Sequence, residues 1–261
     1  MTAGEGTPVT DRVLLVLDPP VATVTLNRPD KLNAIDPEML AALDRALASL
    51  ERNDEVRVVL ITGAGDRAFC VGADINAWAA LEPLAMWKAW IPAGHRVFER
   101  LASLRQPTIA VLNGFTFGGG LELALAADLR LAANVAEFAQ PEVKVGTVPG
   151  WAGTRRLTAL IGAARAKQMM FSGARVDAST AERWGLVNET VSRESLSERA
   201  SALANEIASN APIAVQLAKT AIDGRDSALE GMAGALAAMT EDGREGVAAF
   251  REKRAPRFEG R

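Results

Sequence analysis

One cysteine, one histidine and no tyrosine among 261 residues deprive this chain of the side chains most often used for thiol, imidazole or phenol chemistry. Cys70, the sole thiol, has no partner for an internal disulfide, which suits a reducing compartment. His95 and Cys70 alone cannot assemble a zinc site of nitrogen and sulfur ligands within one chain, so no metal is expected. A Ser-His-Asp arrangement would rest on His95, and no G-x-S-x-G elbow accompanies it. Positive charge is not in excess either: a net charge of -3 and a pI near 5.4 argue against nucleic-acid binding. No apolar run approaches the ~18 residues needed to cross a bilayer. Residues 1–11 carry Glu5 and Asp11 and lack the basic and apolar regions of a secretory leader, so a cytoplasmic location is expected. The remaining composition, 49% hydrophobic and 23% charged, is that of a globular protein able to bury a large core. Acid–base chemistry must fall mainly to carboxylates.

Two segments supply them in a suggestive setting. Phe117-Gly118-Gly119-Gly120-Leu121-Glu122 strips side chains from a stretch of backbone, so its N–H groups can approach a ligand closely. The apolar run Leu121 to Ala127 reads as a helix, which places the glycines at a helix N-terminus that favours negative charge. Glu122 lies in that first turn. Glu142 follows Gln140-Pro141, where the proline restricts the backbone. Two carboxylates beside a site for developing negative charge suit proton transfer on an activated carbonyl. Each piece also has an ordinary reading: a helix-dipole partner for Glu122 and a surface turn for Glu142. The glycine run matches neither a dinucleotide nor a P-loop fingerprint.

Along the chain, Val13 to Leu17, Ala22 to Leu26, Val56 to Thr62, Ala68 to Val71, Thr108 to Leu112 and Leu129 to Ala132 read as strands. Asp36-Pro37 offers an N-cap with proline at the first helical position, starting a helix to about Arg52. A further helical stretch is expected to be interrupted at Pro92. Strands alternating with helices predict an α/β core with a largely parallel sheet. After about Gly150 helices dominate, one of them over Ala178 to Trp184 with Ser179 and Glu182 as a capping box, and only Val187 to Val191 reads as a strand. The alanine-rich segment Leu229 to Met239 is apolar on more than one face, as a helix buried against another subunit or against its own chain would be.

These residues together resemble the crotonase superfamily, the enoyl-CoA hydratase/isomerase family. The likeness runs through Thr25-Leu26-Asn27-Arg28-Pro29, Leu32-Asn33-Ala34, Phe69 to Ile75, Asn113-Gly114, the glycine run, Gln140-Pro141-Glu142, Gly146, Pro149-Gly150 and Glu252-Lys253-Arg254. The resemblance implies a ββα spiral catalytic core over 1–195 and a C-terminal helical region over 196–261 that forms trimers or hexamers. It implies a substrate that is a thioester of coenzyme A, with no separate cofactor. Its carbonyl oxygen would sit in an oxyanion hole of the Ala73 and Gly119 N–H groups. Glu122 and Glu142 would hold one water and add it across the C2–C3 double bond, Glu122 activating the water and Glu142 delivering the proton to C2. Lys31, Leu32, Ala34, Val71, Asp74, Ile75 and Asn76 would follow the coenzyme, and Lys253 would reach a phosphate of coenzyme A bound to a neighbouring subunit. Trp87, Trp90, Phe117 and Trp151 are the candidates for the acyl pocket, in a region that also holds Trp78 and Met86 and would suit a bulky, branched or aromatic acyl group. Rival expectations are an isomerase, a lyase or hydrolase of specialised acyl-CoA esters, and a silent family member that binds CoA esters or RNA.

Overall fold

The computed structural model describes residues 7–224 and 226–261; Glu5 of the polar N-terminus lies outside them. Eleven strands are found among the described residues: β1 (Thr7–Thr10), β2 (Val13–Asp18), β3 (Val21–Leu26), β4 (Val58–Gly63), β5 (Ala68–Cys70), β6 (Thr108–Leu112), β7 (Phe115–Phe117), β8 (Leu129–Ala133), β9 (Glu137–Ala139), β10 (Val176–Asp177) and β11 (Glu189–Val191). Seven form one sheet in the order β1-β2-β3-β4-β6-β8-β11 and four form a second in the order β10-β9-β7-β5. From β3 to β11 the large sheet is parallel, and β1 and β2 extend it as antiparallel neighbours. The second sheet is the finding that the sequence did not announce. Of its strands only β5 falls within a segment read as a strand, Ala68 to Val71; β7, β9 and β10 are two or three residues long, too short for a period-2 pattern to register.

Strand β4 shows how the layers arise. Val58 and Leu60 face one side, toward Leu196, Ala200 and Ala204 of α9 (Leu196–Ala208); Val59 and Ile61 face the main core on the other. Alternate residues of a twofold ribbon point to opposite faces, so a continuous apolar run marks a strand covered on both. The main core also takes in α1 (Pro37–Leu50), whose Met39, Leu43, Ala46, Leu47 and Leu50 form one buried stripe. Asp36 caps α1 as expected, accepting the Met39 N–H at 2.8 Å.

Short helices α2 (Ile75–Trp78) and α3 (Pro83–Ala85) lead into a π turn (Met86–Trp90) that runs straight into α4 (Ile91–Ser103). Pro92 therefore does not interrupt a helix. It marks the change from π to α winding: proline cannot donate and its ring crowds the carbonyl one turn back, and the Ile91 N–H bonds to the Met86 carbonyl instead. Then come α5 (Gly119–Ala124), α6 (Gly153–Ile161), α7 (Ala163–Ser172) and α8 (Ala178–Trp184). The cap of α8 is Asp177, which accepts from Thr180 N at 2.7 Å and from the Ser179 hydroxyl at 2.9 Å, not Ser179 as the capping-box pattern suggested. Both residues can accept from a helix N-terminus, and the carboxylate does so in an extended backbone one position beyond the helix. The chain closes with α10 (Pro212–Gly224), α11 (Ser227–Met239) and α12 (Glu241–Glu252). Among the described residues no helix is long and apolar enough to cross a membrane.

Candidate active site

The site is built where the end of β5 meets residues 31–36. Val71 N donates to Leu32 O at 3.2 Å, Ile35 N to Gly72 O at 2.8 Å and Asp74 N to Ile35 O at 2.8 Å, pairing Ile35 with Ala73 in a short parallel bridge. Ala73's own N–H takes part in none of these bonds. Arg28 and Asn33 hold the segment in place. Arg28 donates to Ala34 O at 2.6 Å and to Asp74 at 3.1 Å, and it faces Asp36 at 3.3 Å. Asn33, buried and left-handed, donates to Ala64 O and Ala68 O and accepts from Arg28 N. The structure thus brings Lys31, Leu32 and Ala34 beside Val71, Asp74, Ile75 and Asn76. The Asp74 carboxylate is already engaged, by Arg28 and by the Asn76 N–H at 3.1 Å, where it caps α2.

Opposite Ala73, the glycine run turns from β7 into α5. Gly118 has φ 52 and ψ -127, a region open to glycine and closed to residues with a Cβ, and its N–H bonds to Ala139 O. Gly119 is the first residue of α5, so its N–H has no acceptor within the helix. A Cβ on Gly119 would stand 3.5 Å from Ala73 N, and one on Gly72 would stand 3.0 Å from Gly119 N. The two amides sit side by side.

Glu122, one turn into α5, is only 2% exposed. Its Oε1 accepts from Trp151 N and Gly153 N, both at 2.7 Å. These donors belong to the start of α6, where left-handed Ala152 (φ 73) turns successive amides toward one point. Burial pushes the Glu122 carboxyl up; the amides of Gly153, Trp151 and Gly150 and the nearby Arg156 guanidinium act in the opposite sense. Glu142 begins a 3₁₀ turn (Glu142–Val145) directly after Pro141. Burial, with a contribution from the charge of Glu122, raises its carboxyl to about 7. The amide of Gln140 is satisfied at both ends only with its nitrogen turned to Glu142, 2.8 and 3.0 Å from the two carboxyl oxygens.

Both glutamates, Ala73 and Gly119 line a single cavity of about 260 Å³. Its remaining walls include Val71, Ile75, Trp78, Met86, Trp90, Ile91, Val145, Val148 and Trp151. Trp151 is buried, tilted against Trp90 and edge-on to Phe98, with ring centroids 5.2 and 5.1 Å away. It fits because α4 carries Gly94 beneath it, where a Cβ would lie 2.1 Å from the indole nitrogen.

Two of the expected acyl-pocket residues are elsewhere. Trp87 is 67% exposed: in the π turn it points away from Trp90, which is buried and does line the cavity. Phe117 stacks on Phe115, centroids 5.2 Å apart, beneath the Arg175 guanidinium. In β7 only Thr116 faces inward, so the alternation of the strand turns both phenylalanines away from the site. Lys253 ends α12 in the left-handed conformation, exposed and not among the cavity-lining residues of its own chain. Sequence reasoning missed the Trp151 and Gly153 amides that hold Glu122, because backbone donors leave no residue-type signature. It also passed over Gln140, whose burial beside a carboxyl was not visible in the motif.

The family model described as enoyl-CoA hydratase/isomerase matches residues 18–261. The chain belongs to this family. It is 41% identical over 251 residues to a short-chain-enoyl-CoA hydratase of Clostridium acetobutylicum, covering 94% of this chain and 96% of that protein. It is 36% identical over 257 residues to a crotonyl-CoA hydratase of Syntrophomonas wolfei, with 95% and 98% covered. Among solved structures, an enoyl-CoA hydratase from Bacillus anthracis matches with a TM-score of 0.92 at 37% identity, over 96% of this chain and all of that one. The spiral of two sheets and helices and the helical C-terminal region are therefore those of the family.

Proposed function

We propose that this chain is an enoyl-CoA hydratase that adds water syn across the C2–C3 double bond of a 2-enoyl-CoA thioester. One observation carries the reading: Glu122, Glu142 and the paired amides of Ala73 and Gly119 all face one cavity. The two amides donate to the thioester carbonyl oxygen, on which negative charge accumulates as the water oxygen bonds to C3. Glu122, held by two backbone donors that favour its carboxylate, takes a proton from that water. Glu142, raised to about 7, carries the proton that passes to C2 as the enolate collapses. The apolar walls formed by Trp78, Met86, Trp90, Ile91 and Trp151 receive the acyl chain. Residues 31–34 and 74–76 flank the coenzyme, and Lys253 serves the coenzyme of a neighbouring copy, brought close by oligomerisation through the region 196–261. Location in the cytoplasm accords with the reduced single cysteine.

The test follows the substrate's own chromophore. Mixed with 2-butenoyl-CoA, the protein is expected to bleach the conjugated thioester absorbance and yield 3-hydroxybutanoyl-CoA. Loss of absorbance without a hydroxyacyl product would favour migration of the double bond, and retention of the ester without turnover across short, branched and aromatic enoyl esters would leave a binding protein.

A further inference from the structure

The indole of Trp151 occupies a slot between two glycines. On α4, a Cβ at Gly94 would stand 2.1 Å from the indole nitrogen and 2.2 and 2.5 Å from the two ring carbons bonded to it. On α5, a Cβ at Gly119 would stand 2.6 and 2.9 Å from carbons at the far edge of the six-membered ring. Both approaches lie well inside van der Waals contact, so the ring keeps this place only because both side chains are missing. Trp90 and Phe98 pack against it, and its N–H has no acceptor among the described residues. A buried indole N–H ordinarily finds one, so shape alone holds this ring.

The ring also stands close to the chemistry. The main-chain N–H of the same residue donates to Glu122, and the ring edge abuts Gly119. The cavity is open at Ile75 and Val148, both exposed, and ends at Trp90 and Trp151, both buried. We propose that Gly94, which does not itself line the cavity, sets the size of the acyl group through Trp151. The glycine lets the indole settle against α4 as a rigid end wall beside C3 and the carbons that follow it. The substrate class is then short 2-enoyl esters, of about four to six acyl carbons, because a fixed aromatic wall rejects each further methylene more sharply than a flexible side chain would. The aromatics that line the cavity thus take up its end. This inference rests on the hydratase reading for the substrate it names, and on packing alone for the wall.

The experiment measures kcat/KM with the 2-butenoyl, 2-hexenoyl, 2-octenoyl and 2-decenoyl esters of coenzyme A. In the wild-type protein it is expected to fall by about tenfold or more between hexenoyl and octenoyl. Trp151→Leu keeps the main-chain donor to Glu122 and lowers the wall, so the octenoyl-to-butenoyl ratio should rise by about tenfold or more. Trp151→Phe serves the same purpose should the leucine variant fail to fold. Gly94→Ala forces the ring out of its slot and should lower the hexenoyl-to-butenoyl ratio and the melting temperature together. In the Trp151→Leu background the same alanine should be nearly silent in both, because the ring it displaces is gone. An unchanged length profile in a folded Trp151 variant overturns the proposal, as does an equal effect of Gly94→Ala in both backgrounds. Titration with saturated butanoyl to decanoyl esters, which have no double bond to hydrate, reads the wall without turnover. A length limit in that series that moves with Trp151→Leu, in a protein that hydrates no enoyl ester, would uphold the wall and sink the hydratase reading alone.

Discussion

Burial acts on Glu122 and Glu142 in the same direction, but their partners differ in kind. Glu122 meets two backbone amides of a distant helix start, whereas Glu142 meets the backbone amide of its own turn, the side-chain amide of Gln140 and the charge of Glu122. One carboxyl is thereby favoured as base and the other as acid, although the two titrate as a pair. Glu122→Gln and Glu142→Gln are each expected to lower hydration by about 10²–10⁴ while binding of an unreactive CoA ester persists, as equilibrium titration would reveal. If Glu142 is the proton donor, as proposed, turnover should decline as pH rises through about 7. The sign for stability follows from the same shift. The unfolded carboxyl loses its proton near the ordinary value of 4.5 and the folded one only at about 7, so between these values unfolding is increasingly favoured as pH rises. Replacing Glu142 by Gln should therefore raise the melting temperature at pH 8 and change it little at pH 4, a measurable exchange of stability for function. The types and spacing of these two residues were legible in the motif; their unequal surroundings were not, since Gly153 and Trp151 lie about 30 positions from Glu122 and act through backbone atoms.

At the scale of elements, the amides of Ala73 and Gly119, the proposed oxyanion donors, depend on how neighbouring segments are tied. Asp36 caps α1 and also faces Arg12 at 2.9 Å and Arg28 at 3.3 Å, while Arg28 grips Ala34 O and Asp74 on either side of the Ile35–Ala73 bridge. Asp36→Ala should cost about 1–2 kcal/mol through the lost cap, visible as a lower urea midpoint. The cap itself could be read from Asp36-Pro37. The π turn before Pro92 could not, because a proline in a helical pattern signals a break without saying whether the chain bends or widens. Of the second sheet only β5 was legible, within Ala68 to Val71; β7, β9 and β10 were not, yet β5 and β7 together position Ala73 and the glycine run.

For the whole molecule, the unmatched surface lies at the C-terminal end. Neither α10 nor α11 buries a residue within the described chain, although α11 is built almost entirely of small and apolar side chains. Ile222, Met232, Leu236, Met239 and, on α12, Phe250 at 86% exposure are left open. Such an apolar face is costly in water and suits a second copy. Sedimentation is expected to give a trimer or a hexamer, and the pair Met232→Asp with Met239→Asp should shift the population toward smaller species; a native monomer would remove the proposal.

The order and identity of the motifs determined the family, the pair of candidate carboxylates and the cap of α1, because these depend on residue type at short range. Which aromatics form the pocket, which amides hold Glu122 and what faces Glu142 were decided only by the fold. Trp90 and Trp87 share a turn, yet one is buried and the other faces solvent. Orientation of that kind is set by packing between segments distant in the chain, for which no local pattern exists.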